Sequence, residues 1–79
     1  MFNNDEILYK TISKNIKHYR HLTRLTQQQL ADKSKLSLSY ITKIEAESCD
    51  KSMSISALNQ IANALDIEIT EFFKENCNE

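Results

Sequence analysis

The sequence predicts an all-α domain, and three features of its 79 residues carry that prediction. Glycine and proline are both absent, although average usage of about 7% and 5% would supply roughly six and four of them. The usual hairpin turns and helix breakers are therefore missing, which favours short helices joined by polar connections. Apolar residues recur at three- and four-residue steps, as on helices. A chain of this length has room for one small domain, 1–79.

Two helices are expected in the first part of the chain. The first runs to about Leu22 and can be capped by Asn3 or Asn4. The apolar residues on its inner face are Leu8, Ile12, Ile16 and Tyr19. Thr26, with Gln29 three residues later, forms a capping box, so the second helix is expected at about 27–33.

Three further helices are expected after residue 36. Ser37 can cap a helix from Leu38 to about Glu45, and the polar residues 46–53 form a loop. Ser54 can cap the fourth helix, and Thr70 a short fifth one. The apolar stripe of the fourth helix is Ile55, Leu58, Ile61, Ala62 and Leu65. Asp66 closes that helix where glycine is common, and residues 74–79 are expected to be a frayed tail.

Charge is divided unevenly between the two halves of the chain. Eight basic residues and one acidic residue lie between Lys10 and Lys43, whereas two basic and eight acidic residues follow Lys43. The net charge of −1 hides this division, which is typical of proteins that contact nucleic acids. The alternative to nucleic-acid contact is that the lysines only keep the exposed faces of the helices in contact with water.

Several kinds of chemistry are excluded. Without glycine the chain cannot form a P-loop, a dinucleotide-binding fingerprint or a nucleophile elbow. Cys49 and Cys77 belong to no CxxC pair, and His18 with His21 lack a third metal ligand at helical spacing. Asn15 is expected to be a polar residue on a helix surface. We expect no enzyme activity, metal or cofactor. No apolar run approaches 18 residues, so no membrane partner is expected, and the unpaired cysteines fit a cytoplasmic protein.

The segment from Gln27 to Ala46 has the plan of a helix-turn-helix: a short support helix, a tight turn and a second helix with a free outer face. Its characteristic stretches are Gln27-Gln28-Gln29-Leu30-Ala31, Ser34-Lys35-Leu36-Ser37 and Tyr40-Ile41-Thr42-Lys43-Ile44-Glu45. They resemble the helix-turn-helix of phage repressors, Cro proteins and their small bacterial relatives, which include restriction-modification controller proteins. The resemblance covers about residues 12–73. It implies a compact five-helix, lambda-repressor-like domain with its core at about 16–72 and its motif at 27–46.

The resemblance also implies which residues meet double-stranded DNA. The base-contacting residues would be Leu38, Ser39, Thr42 and Lys43. The backbone-contacting residues would be Gln27, Gln28, Lys35, Ser37, Tyr40 and Lys51. In similar proteins the positions of Arg20 and Glu45 form an ion pair; two unlinked surface charges are the alternative. For Leu38 and Tyr40, packing between helices remains an alternative to DNA contact. Lys35 occupies a turn position at which this family usually has glycine.

Recognition of DNA by one short helix is unselective, so a homodimer on a palindromic operator is expected. The dimer interface, called the seam below, would contain Ile67, Ile69, Phe72 and Phe73, although Phe72 and Ile67 could instead complete the core of one protomer. The resemblance thus predicts a bacterial or phage-encoded transcription regulator, either a repressor or an autoregulator, with RNA polymerase as a further partner if it activates. The alternative is a protein-interaction module, antitoxin-like or anti-regulator, that uses the same fold without binding an operator.

Overall fold

The computed structural model describes residues 4–46 and 53–75, and within them the chain is all-helical. Helix α1 spans Asp5–Leu22, α2 Gln27–Ser34, α3 Leu38–Glu45 and α4 Ile55–Leu65. A 3-10 helix, Ile69–Phe73, follows α4. None of the helices in these two ranges is long and apolar enough to cross a membrane. The predicted loop at 46–53 and the predicted frayed tail at 74–79 lie largely outside the described residues, as do both cysteines.

Side-chain caps set the starts of all four α-helices. Asn4 accepts the backbone N–H of Ile7 at 2.9 Å, and Ser37 and Ser54 cap α3 and α4 in the same way. At the start of α2 both bonds of the predicted capping box are present, between Thr26 and Gln29. Each such cap typically stabilises a helix by about 1 kcal/mol. The sequence-predicted starts of these helices are confirmed.

The fifth helix differs from the prediction in type and in its first residue. It is a 3-10 helix rather than an α-helix, and it begins at Ile69, after Glu68, with no side-chain cap. Thr70 therefore lies inside the helix rather than at its cap. A segment of five residues gains little from α-helical bonds, and Glu71 N–H instead bonds to Glu68 C=O at 3.0 Å, the tighter pattern that suits short pieces. The predicted all-α fold is confirmed, but the predicted five-helix count is slightly off, because the described residues form four α-helices and one 3-10 helix.

Three residues that are not glycine adopt the left-handed conformation at helix ends: Arg24, Lys35 and Asp66, with φ near 61–63°. Lys35 closes α2, and the next N–H, that of Leu36, bonds back to Ala31 C=O at 3.1 Å. A left-handed residue with a Cβ costs about 1–2 kcal/mol relative to the right-handed form. The turn between α2 and α3 is thus tight although its chain contains no glycine.

The core is built from one face of each helix. Its fully buried side chains include Ile16 of α1, Leu30 of α2, Ile41 of α3 and Ile61 of α4. Phe72 of the 3-10 helix also has 0% exposure and packs in the same cluster. Phe72 thus completes the core of one protomer, which is the alternative to a place in the dimer seam given above.

Candidate nucleic-acid interface

Helices α2 and α3 pack against each other, and the outer face of α3 is exposed. Ala31 is buried where the two helices pack, and Leu30, Ile41 and Ile44 fill the space around it. Burial of each large apolar side chain contributes about 1.5–3 kcal/mol, which fixes the angle between the helices. On the opposite side of α3 the four predicted base readers are all exposed: Leu38, Ser39, Thr42 and Lys43.

The four exposed side chains differ in chemistry. Leu38 is 41% exposed, an apolar surface that fits a thymine methyl group. The Thr42 hydroxyl already donates to Leu38 C=O at 2.8 Å, so this side chain presents a methyl group and an oxygen acceptor rather than a donor. Ser39 offers a hydroxyl and Lys43 an ammonium group. Lys43 is the cation of this set that can donate to guanine O6 and N7.

The predicted backbone-contacting residues have more varied surroundings. Ser37 is exposed and caps α3, and Tyr40 is partly buried against the core, which is the packing role left open above. Gln28 donates to Asp32 within α2 at 3.0 Å, and Lys35 is exposed in the turn. Lys51 lies outside the described residues.

Gln27 is bound internally through its side chain. Its amide Nε2 donates to Glu45 Oε1 at 3.1 Å, so this amide orients the end of α3. Its backbone N–H lies in the first turn of α2, where helix geometry leaves N–H groups without helical partners and where the dipole favours an anion. No local pattern in the sequence indicates the contact with Glu45, because the two residues are 18 positions apart.

A buried ion pair joins α1 to the end of α3. Arg20 Nε donates to Glu45 Oε2 at 2.6 Å and Nη2 donates to Oε1 at 2.9 Å, the two-pronged geometry that suits a guanidinium and a carboxylate. Arg20 Nη1 also donates to Leu25 C=O at 2.8 Å. Glu45 is 2% exposed, and these contacts satisfy its oxygens. The structure therefore links the helix-turn-helix to the rest of the fold at the C-terminal end of α3.

Two further polar residues of α1 are buried, and the sequence analysis missed both. Ser13 donates to Ile44 C=O at 2.6 Å, next to the ion pair. Asn15 is 1% exposed and its Nδ2 donates to Phe72 C=O and Lys74 C=O, each at 2.8 Å. The expectation that Asn15 lies on the surface is therefore wrong. A signal was available, since Asn15 lies three residues after Ile12 and four before Tyr19, the spacing of the inner face of α1.

The 3-10 helix is also tied to α1 through Tyr19. Its hydroxyl donates to Glu71 Oε1 at 2.7 Å, and Lys74 Nζ lies 2.9 Å from Glu71 Oε2. The hydrogen bond from Lys74, and then that from Tyr19, lower the pKa of Glu71 below its ordinary value. Three predicted seam residues, Ile67, Ile69 and Phe73, are partly buried against the core and keep part of their surface exposed. Within the described ranges, no three His, Cys, Asp or Glu residues are grouped to hold a metal ion.

A short support helix, a tight turn and a second helix with a free outer face define the helix-turn-helix class. A sequence model described as helix-turn-helix (HTH_3) matches residues 16–72, so the chain belongs to this family.

Similar proteins include repressors and controller proteins. The chain is 38% identical over 65 residues to an immunity repressor protein of Bacillus phage phi105, covering 82% of this chain but 44% of the repressor's length. The restriction-modification controller protein C.AhdI from Aeromonas hydrophila superposes with a TM-score of 0.75 at 27% identity, covering 89% of this chain and all of that one. SinR of Bacillus subtilis, the master regulator for biofilm formation, solved in complex with DNA, superposes with a TM-score of 0.73 at 27% identity, covering 80% and 98%.

Proposed function

We propose that this protein is a sequence-specific, double-stranded DNA-binding transcription regulator, most simply a repressor or an autoregulator. The observation that carries the proposal is the contrast between the two faces of α3. Its inner face is locked by Ile41, Ile44 and the buried Glu45, while its outer face is exposed. The family membership and the DNA-bound structure of SinR support the same function.

In the proposed complex α3 lies in the major groove. Ser39, Thr42 and Lys43 meet base edges, and Leu38 meets a thymine methyl group. The first turn of α2 faces a phosphate through the backbone N–H of Gln27, where the helix dipole favours negative charge. Lys43 is the one cation among the four proposed base readers, so DNA shape and bridging water contribute much of the specificity.

We also propose that the protein acts as a homodimer. Helix α3 has eight residues and therefore spans only about 12 Å, enough for a few base pairs. Two copies placed about 34 Å apart would read a near-palindromic operator with half-sites about one helical turn apart. The partly exposed surfaces of Ile67, Ile69 and Phe73 would form the seam. Regulation would then depend on protein concentration, because occupancy rises with the dimer population.

Selection from a randomised duplex library tests this function. At about physiological salt, non-specific binding is weak, about 10⁻⁴–10⁻⁶ M, so only true sites should be enriched. The expected product is an inverted repeat with half-sites about 10 bp apart. Lys43→Glu should abolish the enrichment, while Lys33→Glu, an equal change of charge on exposed α2 surface, should preserve it. Failure of the folded wild-type protein to enrich any site would refute operator binding and favour the protein-interaction module.

A further inference from the structure

Helix α1 carries a basic stripe on the side that faces away from the core. The stripe consists of Lys10, Lys14, Lys17 and His21, at successive steps of four, three and four residues. At about 3.6 residues per turn these positions share one narrow face of the helix. The buried residues Ile12 and Ile16 lie on the other side of α1. We call this set the α1 stripe.

The three lysines of the α1 stripe are available for an external partner, whereas the His21 ring lies against Arg20, with its Nε2 3.3 Å from Arg20 Nη2. Lys14 and His21 are exposed and Lys17 is partly exposed. Lys10 forms a surface pair with Glu6 at 3.6 Å, whereas Lys14 and Lys17 have no salt bridge to any residue of the described ranges. Such a row of like charges is unfavourable by itself, because like charges four residues apart on a helix repel one another.

The chain leads from the C-terminal end of the α1 stripe to the start of α2. Arg24 follows it in the turn after α1, in the left-handed conformation, with its N–H bonded to His21 C=O at 3.0 Å. The same corner is held by the bond from Arg20 Nη1 to Leu25 C=O, and Gln27 begins α2 three residues after Arg24. Three acidic residues of the C-terminal part lie elsewhere: Asp66, Glu68 and Glu71 line a cleft of about 460 Å³ beside Tyr19, across α1 from the stripe.

We propose that the α1 stripe, extended by Arg24, binds the phosphates of the DNA that flanks each half-site. From Lys10 to Lys17 the helix rises about 10 Å, which gives one lysine per roughly 5 Å. Phosphates follow one another along each DNA strand at about 3.4 Å of helix axis, so the charge densities are comparable. The partner is DNA rather than an acidic protein because the chain leads from the stripe through Arg24 into the first turn of α2, which faces a phosphate in the proposed complex. This inference rests on the proposed function.

The test measures affinity for two lengths of the selected operator. One duplex contains the two half-sites alone, about 20 bp, and the other adds about 10 bp on each side. The stripe variant is Lys14→Gln/Lys17→Gln. The control is Lys33→Gln/Lys74→Gln, which has the same net charge and changes exposed lysines outside the stripe. Thermal unfolding followed by circular dichroism verifies that both variants are folded.

On the long duplex the stripe variant should lose four phosphate contacts per dimer, two from each copy. The slope of log affinity against log salt should then fall by about three to four relative to the control, since each contact contributes about 0.9. Between 50 and 200 mM salt this amounts to about a 150-fold smaller loss of affinity. On the short duplex the two variants should bind alike.

Two results would overturn the inference. Equal binding of stripe variant and control to the long duplex would show that the stripe does not contact DNA, and would favour a protein partner. Equal weakening on both duplexes would place any contact inside the operator rather than in the flanks. Failure of the wild-type protein to bind the operator at all would instead refute the proposed function on which the inference rests.

Discussion

The ion pair between Arg20 and Glu45 should be the most sensitive point of the fold. Arg20→Met leaves a carboxylate that is 2% exposed with one remaining side-chain partner, the Gln27 amide at 3.1 Å. Removing one partner of a buried pair typically costs about 3–5 kcal/mol, because the other charge is left uncompensated. A domain of this size has a total free energy of unfolding of about 4–12 kcal/mol. The single variant should therefore be close to unfolding.

The assay is a double-mutant cycle by urea denaturation with Arg20→Met, Glu45→Leu and the double variant. The double variant should be much more stable than either single variant, since apolar replacement of a whole buried pair is often neutral or stabilising. It also keeps the test informative if a single variant does not fold. Costs below about 1 kcal/mol for both single variants, the value of an exposed pair, would refute the reasoning.

Three other changes have outcomes that follow from the structure. Lys35→Gly should raise the free energy of unfolding by up to about 1 kcal/mol, because relief of the left-handed strain exceeds the entropy that glycine adds to the unfolded chain. The control Lys33→Gly, inside α2, should lower the free energy of unfolding by about 1 kcal/mol. Urea denaturation measures both changes. Tyr19→Phe should raise the pKa of Glu71 in an NMR titration. Because the folded state lowers the pKa of Glu71, the stabilisation that Glu71 contributes is present at pH values above the ordinary pKa of 4.5. It is lost as the pH falls through the pKa of the folded state. An unchanged Glu71 pKa in the variant would exclude the hydrogen bond from Tyr19. Phe73→Asp should convert dimers to monomers in sedimentation while the helical content is kept; persistence of dimers would move the seam elsewhere.

Local signals in the sequence were sufficient to place the α-helices. Caps and apolar spacing are properties of a few neighbouring residues, so Thr26 with Gln29, and Ser37 alone, marked helix starts correctly. The left-handed Lys35 could also be foreseen, because its position in the turn of similar proteins is usually glycine.

Contacts between distant residues could not be foreseen in the same way. Asn15 binds carbonyl groups 57 and 59 residues away, and no local pattern shows that they will be its partners. The contact of Gln27 with Glu45 depends on the angle between α2 and α3. Phe72 and Phe73 are adjacent, so only the final path of the chain decides which of them is buried.

Average charge was a poor guide to the candidate interface. The net charge of −1 argues against a polyanionic partner, whereas the local distribution puts basic side chains on α1 and α3 and acidic ones beside the end of α4. Electrostatic attraction depends on the charges that face the partner, and distant charges are screened within about 8–10 Å at physiological salt. The distribution of charge is therefore more informative than its sum.

The central claim is that the outer face of α3 reads DNA bases, and the most direct test is a second library selection with Lys43→Ala. If Lys43 donates to a guanine, the consensus obtained with the variant should lose its preference at one position in each half-site and keep the others, with a cost of about 1–3 kcal/mol at the wild-type site. An unchanged consensus, with affinity lowered equally for all sequences, would show that Lys43 meets only phosphate and would contradict the claim that it reads a base.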